Sequence, residues 1–497
     1  MKTSGAGPVL RIADLAWTRD DFCRGWYISG ATGSGKTEAL KLLMHLLCRS
    51  QKSWGGLFID EKSFFVDEVV PLLGRYGRGR DVVELRIRAS PSSAKTPPKF
   101  RMNLLGDERV RTSQYVDAIL MVAEAVAAGK EDKGFFKTQA GLHIGAAIDL
   151  FRGLREWQRA LAVPAGEWVA PTLRDVYRIL TSQDDFEHLL RQRVPLLVAD
   201  AEAALVPDFR GVTPPAVLVE ALEHFAKRYW GVRAPEQLEG VKGTITNYLR
   251  WFADDALHEV FGAEDQTFSI GAVDEGKILC VSLPQHYAIE RRYICALLKV
   301  LAYAHARSRR PNERAYNLMV IWQDEAQRFI LPVDGDVDIL RQYGVTTVIS
   351  TQFRGQIEKA LGGKEQANPI LGNLRNRIIL QAADEDCAEE SAKFIGKGLR
   401  RKRTYSRDGD GRRSSSFTEE VAHFVEPYQL RKLPKFTAVF CHANGRHRIL
   451  RFTPLNDRGE VPHWFHELAS PSMRWRLLFS RTGPYFSAYS PPKVFVR

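Results

Sequence analysis

Residues 30–37 contain a complete phosphate-loop motif, which reads Gly30-Ala31-Thr32-Gly33-Ser34-Gly35-Lys36-Thr37. The glycines allow a loop whose backbone N–H groups face a phosphate, and Lys36 reaches the β- and γ-phosphates of a nucleoside triphosphate. The hydroxyl of Thr37 is the expected Mg²⁺ ligand, and Glu38 follows it. The motif therefore predicts that residues 30–38 bind a nucleotide, with ATP and Mg²⁺ as the cofactors.

The sequence around the motif has the periodicity that this loop requires. The apolar run 25–29 precedes it as a strand, and residues 38–48 follow it with apolar side chains at helical spacing. Further short apolar runs alternate with helical patterns at 56–60, 82–87, 276–284, 317–325, 346–350 and 377–381. Strands that alternate with helices indicate an α/β core with a mainly parallel sheet.

The texture of the sequence changes along the chain and suggests a division into segments. Helical periodicity without a convincing strand runs from 105 to about 265, and Asn444-Gly445 is a strong hairpin signal between two apolar runs. A Gly-, Ser- and Arg-rich stretch is typical of a mobile loop. The predicted segments are a first core part (1–104), an all-helical insertion (105–265), a second core part (266–396), a basic mobile loop (397–418), core edge strands (419–457) and a basic aromatic tail (458–497).

Composition limits the class of protein. No window holds eighteen uncharged apolar residues, and the first residues lack the apolar stretch of a secretory signal, so we predict a cytoplasmic protein without membrane insertion. From residue 397 onward there are 20 Lys and Arg against 8 Asp and Glu, so the whole net charge of +12 falls in the last fifth of the chain. Such asymmetry favours a nucleic-acid partner, with a solvated basic tail as the alternative.

Two further strand ends carry polar residues suited to hydrolysis. The run 318–322 leads into Gln323-Asp324-Glu325, where Asp324 is placed to bind Mg²⁺ and Glu325 to activate water. Gln352 follows the next strand and is placed to contact the γ-phosphate. An acidic strand end and an ordinary strand-end glutamine are the structural alternatives.

Phosphoryl transfer also gains from a cation that neutralises developing charge, which is often an arginine from a neighbouring subunit. Arg341 lies between the Asp-Glu and Gln motifs. From spacing alone it is one candidate among several, and the competitors are Arg328, Arg354, Arg375 and Arg377.

The order of these motifs resembles the coupling-protein ATPases of type IV secretion and conjugation (TraG/TraD-type), which are related to the HerA and FtsK hexameric DNA pumps. Several stretches carry the resemblance beyond the phosphate loop, namely Asp60-Glu-Lys62, Met102-Asn103-Leu104, Asp324-Glu-Ala-Gln-Arg-Phe329, Arg341-Gln-Tyr-Gly-Val345, Ser350-Thr-Gln352, Ile370–Ile379 with Phe394-Ile-Gly396, and Tyr428–Pro434. Glu61 and Ser63 depart from the family's D-P-K-G segment, and 102–104 lacks the proline of its N-P-L.

The resemblance implies a RecA-like motor domain with an inserted all-helical domain, assembled as a homo-hexameric ring. It implies ATP between subunits, with Arg341 acting in trans, and a helical domain that faces substrate or adaptor proteins. Coupling proteins usually carry membrane helices ahead of the phosphate loop, whereas only 29 residues precede it here. We therefore expect attachment to the inner membrane, if any, through partners such as a relaxase or secretion-channel proteins.

These observations favour an ATP-driven DNA translocase that grips DNA phosphates through the basic stretch. The candidate DNA contacts are Arg400, Arg401, Lys402, Arg403, Arg412 and Arg413. A genome-packaging ATPase is disfavoured because no acidic nuclease cluster follows Gln352. A nucleotide-gated module that recruits a protein partner is the alternative from another class. The C-terminal aromatics suit either stacking on single-stranded bases or docking on a neighbouring subunit.

Overall fold

In the computed structural model of the chain, the described residues are 7–61, 65–87, 98–126, 134–164, 171–193, 212–231, 235–262, 266–311, 313, 316–407, 413–456, 460 and 486–488. The chain divides into two compact units. Unit 1 combines Met1–Trp54, Phe58–Arg80 and Arg314–Arg497, and unit 2 combines Gly55–Leu57 and Asp81–Glu313. The phosphate loop and the Asp-Glu and Gln motifs therefore all belong to unit 1.

Strands and helices alternate along the described chain. The strands are β1 (Leu10–Ile12), β2 (Leu15–Trp17), β3 (Trp26–Ser29), β4 (Trp54–Ile59), β5 (Val82–Arg86), β6 (Ile278–Ser282), β7 (Leu318–Gln323), β8 (Val345–Thr351), β9 (Asn376–Ile379), β10 (Lys397–Arg407), β11 (Arg413–His423), β12 (Thr437–Cys441), β13 (His447–Phe452) and β14 (Phe486–Ala488). The α-helices are α1 (Arg19–Phe22), α2 (Lys36–Ser50), α3 (Val70–Arg75), α4 (Thr112–Val126), α5 (Gly134–Ala160), α6 (Leu173–Thr181), α7 (Gln183–Arg193), α8 (Ala216–His224), α9 (Pro235–Leu249), α10 (Asp255–Phe261), α11 (Ala288–Ala306), α12 (Val337–Leu340), α13 (Arg354–Leu361), α14 (Lys364–Asn373), α15 (Glu385–Ile395) and α16 (Pro427–Arg431). The α/β prediction is confirmed.

Unit 1 is built on a sheet whose strands lie in the order β14-β13-β12-β9-β3-β8-β7-β4. Strands β9, β3, β8 and β7 run parallel, and β12 pairs antiparallel with β9. The side chains of β7 and β8 are buried along their whole length. Strands covered on both faces are apolar throughout rather than alternating, which is why these runs stand out in the sequence.

The edge of this sheet beyond β9 is formed by an antiparallel hairpin. Strands β12 and β13 pair in register across Asn444-Gly445, and Gly445 has the positive φ of +89° that this turn needs. The predicted hairpin is thus confirmed. Strand β14 extends it by pairing with β13, an addition that the sequence did not reveal because three residues carry too little periodicity.

Unit 2 is mainly helical and contains the parallel pair β5–β6. Its longest helix, α5, packs against α4, α8 and α9. Between 105 and 265 the described residues form helices and no strand, as the fold prediction required. None of the helices in the described ranges is long and apolar enough to cross a lipid bilayer.

The basic stretch 397–418, predicted as a mobile loop, differs in the structure. Strands β10 and β11 form a two-stranded antiparallel ribbon in which Arg401 lies opposite Glu419 and Leu399 opposite Val421. Leu399 and Val421 are 76% and 68% exposed. Where apolar residues such as these are exposed rather than packed on a core, apolar and polar residues need not alternate, so the sequence resembles a loop. Residues 408–412 lie outside the described part.

Candidate active site

The phosphate loop connects the central strand β3 to the first turn of α2. Gly33 and Gly35 adopt positive φ values of +80° and +108°, which L-residues rarely tolerate. A Cβ at Gly35 would also lie 2.8 Å from the Phe436 ring. The loop is held at its ends, because Ala31 N–H donates to the Gln381 carbonyl (2.8 Å) and Phe436 N–H to the Ser34 carbonyl (3.1 Å). Glycine at 35 is therefore a steric requirement.

Lys36 points back into the loop rather than into solvent. Its Nζ donates to the carbonyl oxygens of Gly30 (2.8 Å) and Ala31 (3.2 Å), and the residue is 9% exposed. Thr37 is half-buried beside it, while Thr32 and Gly33 are exposed at the loop tip. Glu38 turns away from the loop, with Oε1 3.3 Å from Lys41 Nζ and Oε2 accepting from Leu455 N–H at 3.3 Å. The loop thus holds its cation against backbone oxygens at the helix N-terminus.

Asp324 lies directly after β7 and is 7% exposed. Its N–H donates to the Ile59 carbonyl at 3.0 Å, which fixes the turn against the end of β4. Burial raises the pKa of Asp324, and the nearby Glu325 charge adds to the rise, whereas the Ser350 hydroxyl and the Lys36 ammonium oppose it. A buried carboxylate whose charge is only partly compensated is suited to receive a cation.

Glu325 occupies a strained backbone position. Its φ and ψ of 49° and 48° lie in the left-handed region, which costs a non-glycine residue about 1–2 kcal/mol. The turn directs the half-buried carboxylate towards Gln327, whose Nε2 donates to Glu325 Oε2 at 2.7 Å. Such outliers concentrate where function fixes the orientation of a side chain.

Gln352 lies at the end of β8, next to the phosphate loop. It lines a recess of about 30 Å³ together with Ser29 and Gly30. Arg354 and Arg377 line the same recess, and Arg354 Nε and Nη1 lie 2.7 and 3.3 Å from carboxylate oxygens of Glu358 and Glu390. Since β3, β8 and β7 are parallel neighbours, their carboxyl ends bring the Lys, Gln and Asp-Glu motifs to one edge of the sheet.

Arg341 lies on the surface of unit 1, at the start of a short turn that ends at Gly344. Its side chain is 38% exposed, and Nε lies 3.4 Å from Asp20 Oδ1. It is not among the residues that line the recess at Gly30 and Gln352. Its action in trans stays a prediction, for which an exposed position is necessary.

The predicted DNA contacts lie on the β10–β11 ribbon. Arg400 Nη1 is 3.7 Å from Glu426, and Arg401 Nε is 2.9 Å from Glu419. Lys402, Arg403 and Arg413 are strand residues, and Arg412 lies outside the described residues. Arg400 and Arg401, the two candidate cations whose side chains the structure describes, are thus paired within the chain.

Sequence reasoning missed residues that contact the predicted catalytic groups. Thr351 and Gln327 are joined by a hydrogen bond of 2.9 Å between Oγ1 and Oε1, and Phe436 closes the phosphate loop from beyond residue 400. Gln327 lies in the stretch 324–329 and Thr351 in the stretch 350–352, so their polar side chains beside Glu325 and Gln352 could have indicated such contacts. Phe436 had no signal, because its contact depends on tertiary structure alone.

Comparison with known proteins agrees with this geometry. Residues 318–435 match the family described as the TraM recognition site of TraD and TraG. No match was found among curated protein sequences. The conjugative coupling protein TrwBΔN70 in a sulphate-bound trigonal form has 15% identity and a TM-score of 0.58, with 92% of this chain and 90% of that one covered.

Two nucleotide-bound TrwB structures have the same fold. TrwB with ADP and Mg²⁺ shares 14% identity at a TM-score of 0.56 over 93% of this chain and 91% of that one, and TrwB with the ATP analogue ADPNP shares 14% at 0.54 over 88% and 87%. The resemblance is thereby confirmed at the level of the fold: this chain has the fold of the TrwB coupling-protein structures, and its residues 318–435 match the family described as the TraM recognition site of TraD and TraG.

Proposed function

We propose that the chain is an ATP-hydrolysing motor that moves DNA during its transfer or mobilisation. The observation that carries the proposal is the convergence of Lys36, Asp324 and Gln352 at the carboxyl ends of three parallel neighbouring strands. A nucleotide-binding module needs the phosphate loop, whereas hydrolysis also needs an oriented carboxylate beside it. Glu325 on its fixed turn supplies that carboxylate.

The residues present fit Mg²⁺ and ATP. Asp324 and Thr37 offer carboxylate and hydroxyl oxygens, which Mg²⁺ prefers as ligands, and the raised pKa of Asp324 shows that its charge is undercompensated. When bound, Mg²⁺ would neutralise charge on the β- and γ-phosphates. Lys36 exchanges its loop carbonyls for phosphate oxygens, Glu325 accepts a proton from the attacking water, and Gln352 contacts the γ-phosphate.

In a ring of identical subunits, which we propose to be a hexamer, Arg341 reaches the γ-phosphate bound by a neighbour. Its exposed position in unit 1 supports this role, as does the electrostatic gain from a second cation at the transferred group. The basic β10–β11 ribbon then supplies sequence-independent contacts to DNA phosphates. We place the motor in the cytoplasm, at the inner membrane through partner proteins.

A second function is favoured by the TraM recognition-site match over residues 318–435. In that case ATP gates the recruitment of a relaxosome or secretion-channel protein, and the ribbon's charge is incidental. The internal pairing of Arg400 and Arg401 is compatible with this function.

Steady-state ATP hydrolysis with and without single- and double-stranded DNA separates the two functions, with Glu325→Gln as the blank. The motor predicts several-fold stimulation by DNA that declines with added salt, because phosphate contacts release counterions. Glu325-dependent hydrolysis that neither DNA alters would overturn the motor and favour the recruiting module.

A further inference from the structure

A chain of hydrogen bonds links Glu325 to the strand that carries Gln352. Gln327 Nε2 donates to Glu325 Oε2 at 2.7 Å, and the Thr351 hydroxyl donates to Gln327 Oε1 at 2.9 Å. All three residues belong to unit 1. One amide group therefore bridges the turn after β7 and the last residue of β8.

We propose that Gln327 is the positioning residue that holds the Glu325 carboxylate for water activation, an inference that rests on the hydrolytic function proposed above. A carboxylate with one oxygen fixed by an N–H donor presents the other oxygen in a defined direction. Gln327 thereby keeps the base aimed.

The same bridge connects Glu325 with β8, the strand that precedes Gln352. In the sheet, Thr351 is the register partner of Ser29, which directly precedes the phosphate loop, and Gln352 follows Thr351. Gln352 is joined to Thr351 by one peptide bond, so a movement of Gln352 on loss of the γ-phosphate also moves Thr351. The hydrogen bonds of the bridge transmit this movement through Gln327 to Glu325, and the base is withdrawn.

The surroundings of the bridge make it testable without disrupting the fold. Gln327 and Glu325 are only half-buried, so truncation of Gln327 leaves no closed cavity, while Thr351 is fully buried and needs an isosteric change. Gln356 Oε1 accepts from the same Thr351 hydroxyl at 3.2 Å. Gln356→Ala is therefore a matched control that removes a glutamine from Thr351 and leaves the bridge to Glu325.

The experiment measures kcat and KM for ATP for the full chain. Gln327→Ala should lower kcat about tenfold with KM within about twofold, since misplacing a reacting group affects the chemical step. Thr351→Val should act in the same direction but less strongly, Thr351→Ser should restore activity, and Gln356→Ala should match wild type.

The Gln327→Ala/Thr351→Val double variant tests the coupling. If the two residues act as one bridge, the double variant loses no more activity than Gln327→Ala alone. A kcat of Gln327→Ala that equals or exceeds that of wild type, or full additivity in the double variant, would overturn the positioning role. If Gln327→Ala binds ATP poorly, the positioning role is tested by comparing kcat of Thr351→Val with kcat of Thr351→Ser. Failure of the hydrolytic function itself is recognised separately, because wild type would then show no Glu325-dependent turnover.

Discussion

Two buried clusters of charge, one in each unit, show opposite electrostatic designs. In unit 1 burial raises the pKa of Asp324, and Lys36 donates hydrogen bonds to backbone carbonyl oxygens. In unit 2 both ring nitrogens of His305 lie 2.9 Å from carboxylates, those of Asp107 and Asp274.

The unit 2 cluster is balanced. Burial acts to raise the pKa of Asp107 and of Asp274. The hydrogen bonds and charge of His305 outweigh it together with Arg109 at Asp107 and Arg309 at Asp274, so both pKa values are lowered. Arg309 adds a hydrogen bond from Nε to Asp274 Oδ1 at 3.0 Å. A buried charge with balanced partners suits a structural role, whereas a buried charge that is only partly compensated suits ligand binding. We therefore expect a structural role for Asp107 and Asp274 and a functional role for Asp324.

Removal of the central cation should have the largest effect on stability. His305→Ala leaves Asp107 and Asp274 buried without the ring between them, which should lower the free energy of unfolding by about 3–5 kcal/mol. Urea unfolding measures this, with the exposed His286→Ala as control. A variant as stable as wild type would show that the unit 2 cluster is not structural.

Asp324→Asn should have the opposite pattern, with a large loss of activity and no loss of stability. Loss of the charge that we propose to bind Mg²⁺ should lower kcat about a hundredfold, a typical loss for a group that stabilises transition-state charge. Because burial raises the pKa of Asp324, the native state disfavours its charge, so the neutral isostere should keep or increase the melting temperature. The exposed Asp338→Asn should change neither quantity. A marked loss of stability would place Asp324 with the structural carboxylates.

The sequence predicted that Asp324 and Gln352 directly follow strands, as they do in the structure, but it gave no indication of the unit 2 cluster. Strand-end residues such as Asp324 and Gln352 follow continuous apolar runs, so their shared location at one sheet edge follows from parallel topology. Asp107 and His305 lie 198 positions apart, and only tertiary packing joins them. For the same reason the contact of Phe436 with the phosphate loop was not predicted. The β10–β11 ribbon was predicted as a loop because its apolar residues Leu399 and Val421 are exposed and give no buried-strand pattern.

The pH dependence of stability should sharpen the contrast. Burial acts to lower the pKa of His305, but Asp107 and Asp274 outweigh it and raise the value above its ordinary 6.5. The stabilisation from His305 is therefore complete below about pH 6.5 and is lost as the pH rises through the higher folded-state pKa. Unfolding free energies of wild type and His305→Gln should converge above that value. A difference that grows with pH would contradict a protonated ring.

The smallest effect is expected at the edge of the unit 2 cluster. Arg109 Nε lies 3.3 Å from Asp107 Oδ1, but its side chain is 51% exposed. Water screens such a pair, so Arg109→Ala should cost less than about 1 kcal/mol, and the cost should shrink further in high salt. Arg309, whose side chain is 1% exposed against Asp274, is the matched comparison, and Arg309→Ala should cost more. If both variants lost the same unfolding free energy, the number of charges rather than their burial would stabilise the cluster. Burial would then not explain why this cluster differs from Asp324.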